Sequence, residues 1–583
     1  MPTLEQIPPS PPLSQGGKGG VRPAGKQRWE WGQGLVMGVL LLLLTSFILY
    51  PLLRVLFVAV SDAQGITARH LLNFLARPLF REALINSLAA GGLAVVFGSL
   101  LGVPLAYFSV RYQFCGKILL QTLGVLPLVI PPFVGAVALQ LILGRSGMVN
   151  LLLLRWFGVG VPWMEGLAGV ILVQTLHFFP FIMLNTAVSL ANIDHSLEEM
   201  AQNLGSHGWR LFRRITLPLM LPGYVAGCLL TFIRVVDDLG TPLMLNYTKL
   251  LAPQAYLRIT TIGIDDVDGY VVCVILVVLS LVSLWAARKY LSLSEYATIQ
   301  RGTTGAEIGT PIRGIKLAVV LCISTVMLGV SLLPHLGILL LSVSKIWSFS
   351  LLPAVYTLGN YEEIVFRTPH FVKNTLLYAL LAAGVDVVLG AVIAWLLLRS
   401  HVLGRNLLDA IATMPLAIPG VVLAVGYLRV FHGWDFPGAG GPLTGSWIIL
   451  VIAYAMRRLP YTVRACYAAL QQVHVSMEEA AQNLGANRVR TFRKVTFPLM
   501  VGGLVAGGLI SFMTSAVELS STIMLVPRIE LGPIAYGIYV YMQSALGRGA
   551  GAALGVVAIL LVAVCTYVTN RVFAGRSGSA FRV

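Results

Sequence analysis

Long apolar runs recur along nearly the whole chain, separated by short polar stretches. Each run reaches the length of about 20 residues that a helix needs to cross about 30 Å of hydrocarbon. The pattern predicts twelve spanning helices, near residues 33–60, 84–110, 117–144, 166–190, 216–244, 269–290, 314–343, 374–399, 406–431, 446–470, 496–526 and 550–573. A polar, Gly/Thr-rich stretch between the sixth and seventh is the one plausible linker, so the helices divide six and six. The expected organisation is a disordered cytoplasmic tail (1–32), a first half (33–290), a linker (291–313), a second half (314–575) and a short cytoplasmic tail (576–583).

An internal repeat makes the halves homologous. EEMAQNLGSHGWRLFRRITLPLMLPG (198–223) aligns without a gap on EEAAQNLGANRVRTFRKVTFPLMVGG (478–503), with 15 of 26 positions identical. At a slightly different offset, residues 86–111 align on 374–399 and LPLVIPPFVG (126–135) on MPLAIPGVVL (414–423). The fold class is therefore an all-α integral membrane protein of twelve transmembrane helices in two homologous six-helix halves.

Composition agrees: 57% of the 583 residues are hydrophobic and 11% charged, against about 25% charged in soluble domains. The formal charge of +17 does not point to nucleic acid, because Lys and Arg sit in short loops and form no single basic face. Their densest clusters, Arg210, Arg213 and Arg214, and Arg488, Arg490, Arg493 and Lys494, belong on the cytoplasmic side. Both then fall between the fourth and fifth helix of a half. This places both termini inside and makes the halves parallel about an axis along the membrane normal. Six scattered cysteines show neither CxxC spacing nor a disulfide framework.

The repeated loop carries the mechanism. Ser196 to Glu199 and Ser476 to Glu479 read as capping boxes starting short helices outside the membrane. Gly205 and Gly485 then end or turn those helices. A basic amphipathic stretch follows, and Pro218 and Pro498 stand at the start of the next spanning run, where a missing N–H is tolerated. Prolines 127, 131, 132, 415 and 419 break the third helix of each half.

The repeated loop resembles the signature of type I permeases of bacterial ABC importers: E-x-A, a Gly four residues later, and an aliphatic-x-x-Pro ending. Glu199, Ala201, Gly205, Ile215 and Pro218 match it in the first half, and Glu479, Ala481, Gly485, Val495 and Pro498 in the second. The resemblance implies that these residues form coupling helices, one for each of two ATPase subunits. The chain has no G-x-x-x-x-G-K-S/T loop, so ATP and Mg would be bound on that partner and no catalytic residue is expected here. It also implies an extracytoplasmic substrate-binding protein and a place in the bacterial inner membrane, in contact with lipid.

Ionisable residues inside spanning segments are functional candidates by default. Asp238 aligns with Glu518, and His177 with Arg457, just before the aligned Pro180 and Pro460. These four are the candidate lining of a translocation pathway. The competing reading has Arg457 or Arg458 paired with Glu518, and Arg234 with Asp237, as structural ion pairs. No metal-ligand spacing is present in the permease itself.

DLGTP (238–242) and ELSSTIML (518–525) in a fused twelve-helix chain look most like the ferric-iron subgroup. Related permeases for 2-aminoethylphosphonate, thiamine or a polyamine are the alternatives. A secondary transporter driven by an ion gradient is the competitor from another class, and the paired docking loops, which it would not need, speak against it.

Overall fold

The computed structural model describes residues 24–62, 64–293, 309–347, 349–400, 402–433, 435–436, 441–544 and 546–574. The terminal tails, 1–23 and 575–583, and most of the predicted linker, 294–308, lie outside the described residues.

The first half is built on nine principal helices: α1 (24–59), α2 (Pro78–Arg111), α3 (Lys117–Val125), α4 (Pro132–Leu143), α5 (Gly166–Ala191), α6 (His195–Asn203), α7 (Leu217–Asp237), α8 (Gly240–Met244) and α9 (Val267–Leu293). The second half repeats them in order: α10 (Gly314–Ser342), α11 (His370–Arg399), α12 (Arg405–Thr413), α13 (Gly420–Phe431), α14 (Ile448–Gln471), α15 (Val475–Asn483), α16 (Phe497–Ala516), α17 (Thr522–Leu525) and α18 (Arg548–Ala574).

Among the described residues ten helices are long and apolar enough to cross a membrane, with Pro132–Phe157, which α4 begins, taken as one, or eleven if the bent pair formed by α12 and α13 is one span. The twelfth is α14, a 24-residue helix whose length suits a span but which carries Arg457, Arg458 and Arg464.

Three predicted boundaries move. The first helix starts at Ala24, inside the expected tail, because extending an existing helix costs less than nucleating one. The third span of each half is not continuous. Its two pieces are bent by 110° in the second half, since the prolines remove amide donors and a one-turn 3-10 segment follows α12. The fifth spans end at Asp237 and Ala516, not near 244 and 526, and the chain turns into the short helices α8 and α17.

Within each half, α2 and α11 pack on α5 and α14 through small residues. Gly102 lies against Phe179 and Met183, and Gly390 against Thr462, so the backbones come close enough for dispersion contacts to hold helices together in lipid. The first helix of each half crosses to the other half. Tyr427 of α13 donates to the Phe47 carbonyl of α1 at 2.8 Å, and His335 of α10 lies 3.2 Å from the Leu126 carbonyl beside α3. Thr310–Pro311, leading into α10, also pairs with Tyr112–Gln113 at the end of α2.

Candidate functional site

Two sites emerge: a pair of short helices on the basic-loop face, and a buried charge cluster between the halves.

The short helices α6 and α15 begin earlier than the capping-box reading placed them. The Asp194 carboxylate accepts the Ser196 N–H at 2.9 Å, and Nδ1 of His474 accepts that of Ser476 at 3.3 Å. Ser196 and Ser476 therefore lie inside the first turn, and the reciprocal box with Glu199 or Glu479 does not form. Asp is as good a cap as Ser, and here it stands two residues ahead.

The helix ends follow the sequence expectation. Gly205 and Gly485 adopt φ of +83° and +86°. The N–H of the following residue reaches back to Ala201 or Ala481 at 2.9 and 3.0 Å, and the glycine N–H to Gln202 or Gln482 at 2.9 Å. This double bond is the Schellman closure, and it explains the fixed spacing of Ala and Gly in both copies. A Cβ in that conformation costs about 1–2 kcal/mol. Gly205→Ala together with Gly485→Ala is expected to lower ATP-driven uptake at normal membrane levels, and full uptake by the double variant would contradict a coupling role for these turns.

Pro218 and Pro498 occupy the first turns of α7 and α16, directly after π-helical turns at Phe212–Thr216 and Phe492–Thr496. The wider turn accommodates a proline in a helix that runs on into the membrane. Ile215 and Val495 lie half-buried in those turns.

Glu199 and Glu479 are exposed. The carboxylate fixed inside the protein is the one before each. Glu198 is buried, accepting from Arg111 at 2.6 Å and from the Thr216 hydroxyl at 2.8 Å. It ties α6 to the end of α2 and to the π-turn below α7. Glu478 accepts from Arg399 Nε at 3.1 Å in the same way. Sequence reasoning missed this pair although a signal was present, since both aligned second helices end on an arginine, Arg111 and Arg399. Beside Glu199 and Glu479, α6 and α15 also present apolar side chains to the outside: Leu204 is 88% exposed and Leu484 89%, with Met200 and Met477 alongside.

The second site lies where α7 and α16 end. Arg457 of α14 donates to Glu518 at 2.6 Å and, across the halves, to Asp237 at 2.7 Å. Arg458 pairs with the other Glu518 oxygen and donates to the Thr514 carbonyl at 3.1 Å. Asp237 also accepts the Gly420 N–H at 3.0 Å, at the start of α13, where the helix dipole favours an anion. Any side chain at 420 would collide with the Arg457 guanidinium.

Among the described residues Asp238 belongs to no ion pair. It accepts from the backbone of Gly240 at 3.1 Å and Thr241 at 3.3 Å, and from Gln174 at 3.2 Å, so it caps α8. This local bonding ends α7. Glu518 does the same more weakly for α17, accepting from Ser521 at 3.4 Å.

Asp238, Arg457 and Glu518 thus line one cavity of about 140 Å³, together with Arg234, Asp237, Phe133 and Phe178. His177 does not join them. It faces a separate, smaller pocket beside Pro127 and His335, edge-on to Phe178. The expected Arg234–Asp237 pair is also replaced: Arg234 donates to the Tyr461 hydroxyl at 2.7 Å, and Asp237 goes to Arg457. Among the described residues no group of three or more His, Cys, Asp or Glu is placed to hold a metal.

Two homologous membrane-spanning halves, each with a capped short helix beside its basic loop and with a polar cavity between them, have the build of a transport permease. The family comparison makes the class specific: residues 94–291 and 386–577 both match the binding-protein-dependent transport system inner membrane component, and the chain belongs to that family. It is the multi-pass inner-membrane permease subunit of an ABC importer, and ATP hydrolysis resides on a separate subunit.

The chain is 27% identical to the ferric transport system permease protein FbpB of Actinobacillus pleuropneumoniae over 520 residues, covering 86% of this chain and 73% of that protein. It is 26% identical to a putative FbpB of Haemophilus influenzae over 503 residues, covering 84% and 77%. The molybdenum transport system permease protein ModB of Escherichia coli is 33% identical over 218 residues, covering 36% of this chain and 93% of that protein.

Proposed function

We propose that this permease forms the membrane pathway for ferric iron, delivered by an extracytoplasmic binding protein and driven by two copies of an ATPase that bind ATP and Mg. The observation that carries the cargo is the extent of the similarity to the ferric permease, 86% of the chain and so both fused halves. The molybdenum permease aligns over 36% of the chain, about one half.

In this reading both termini are cytoplasmic and the halves, 33–290 and 314–575, each dock one ATPase. Leu204 and Leu484 supply apolar contacts to a groove on the ATPase, as amphipathic helices do. Glu199 and Glu479 face the same partner, while Ala201, Ala481, Gly205, Gly485, Ile215, Val495, Pro218 and Pro498 shape the helix-turn-helix that carries its movement into α7 and α16. Asp238, Arg457 and Glu518 border the pathway.

The test is uptake of radiolabelled Fe(III) into proteoliposomes holding the permease with its ATPase, with and without the binding protein. Iron accumulation that requires both ATP and the binding protein is expected. Accumulation of molybdate or of an organic phosphonate in place of iron overturns the cargo.

A further inference from the structure

The buried cluster contains more ionic groups than its present pairing uses. Three of its contacts cross between the halves, Arg457 to Asp237, the Gly420 N–H to Asp237, and Arg234 to the Tyr461 hydroxyl. An importer that opens a path between its lobes must break such contacts, and breaking a buried pair by removing one partner strands a charge at a cost of several kcal/mol. Two further groups stand beside the cluster as if to prevent this.

Asp386 of α11 is fully buried, and it accepts one bond, from the Ser511 hydroxyl. Among the described residues its Oδ1 has no partner, and neither has Nε of the buried Arg458. The two side chains converge on one face of α16. Ser511, which holds Asp386, stands one turn from Thr514, whose carbonyl holds Arg458. Neither residue exists in the first half, where the aligned positions are Gly98 and Phe178. On the other side, Arg234 and Asp237 are three residues apart on α7, the spacing at which helix side chains meet.

We propose that Arg234 and Asp386 are positioning residues for transport, reserve partners that take over when the halves separate. Arg234 leaves the neutral Tyr461 for Asp237, Arg457 stays on Glu518, and Arg458 moves from Glu518 to Asp386. Every ion pair of the buried cluster then lies inside one half, and the lobes part without leaving one of its charges alone; the other pair between the halves, Arg429 with Asp265, is solvent-accessible. The exchange makes and breaks only hydrogen bonds and ion contacts. It rests on the permease assignment and not on the identity of the cargo.

The experiment is a pair of double-mutant cycles in the reconstituted importer, read by Fe(III) uptake and by ATP hydrolysis stimulated by the binding protein. The second readout does not depend on iron being the cargo, so a permease that carries no iron still tests the exchange. Asp386→Asn alone is expected to slow both readouts about tenfold, but to add little on top of Arg458→Gln, because the arginine that needs the reserve site is gone. Likewise Arg234→Gln is expected to be relieved by Asp237→Asn. Wild-type rates in Asp386→Asn, or full additivity in both cycles, overturn the proposal. If Asp386→Asn does not assemble, the Arg234 cycle decides: relief supports the exchange and additivity overturns it.

Discussion

Arg457→Ala is expected to abolish transport and to destabilise the permease by about 3–5 kcal/mol, the range for removing one partner of a buried ion pair. Arg457 is 6% exposed and neutralises carboxylates from both halves. Without it, Asp237 keeps the Gly420 amide and is neutralised only by drawing Arg234 away from the Tyr461 hydroxyl, while Glu518 keeps Arg458. Thermal unfolding of the purified permease in detergent reads the loss. Adding Asp237→Asn is expected to recover part of the stability, because a neutral amide is less costly to bury than a stranded carboxylate, but not transport. Arg457→Lys is not expected to substitute, since a single ammonium cannot present the two separate donors that reach Asp237 and Glu518. Unchanged unfolding in Arg457→Ala would show that the cluster does not hold the halves together.

The second large effect separates two adjacent glutamates. Glu198→Ala is expected to destabilise the α6 loop by about 2–4 kcal/mol, because it strands the buried Arg111 guanidinium and leaves the Thr216 hydroxyl without its acceptor. Glu199→Ala removes an exposed carboxylate and is expected to change the stability of the isolated permease by no more than about 0.5 kcal/mol. Limited proteolysis of the loop in the isolated permease reads this difference directly. Stimulated ATP hydrolysis in the assembled importer then shows whether Glu199 acts at the partner surface. Equal protease sensitivity in the two variants would refute the structural role assigned to Glu198.

The two sites differ in how far they could be read beforehand. Gly205, Gly485, Ala201 and Ala481 were legible because their role is local: a left-handed residue and a backward bond span six positions, and both copies show them. The capping box misled for an equally local reason, since Asp194 and His474 compete for the same amides and Asp194 does so as effectively as Ser. Glu198 was harder. Its partner Arg111 is 87 positions away, so their meeting depends on how α2 packs beside α5.

Apolar periodicity and the internal repeat by themselves determined the membrane character, the division into two homologous halves and the repeated helix-turn-helix loop, because each rests on spacing along one stretch of chain. The alignment also anticipated that Arg457 or Arg458 pairs with Glu518, as both do, but only the tertiary structure decided the contacts between the halves. Asp237 reaches Arg457 across 220 positions and from the opposite half, while His177, aligned with that same arginine, turns to another pocket beside the crossing helix α10. A buried charge is satisfied by whatever partner the packing brings within reach, and in a duplicated fold whose first helices exchange sides, that partner often belongs to the other copy.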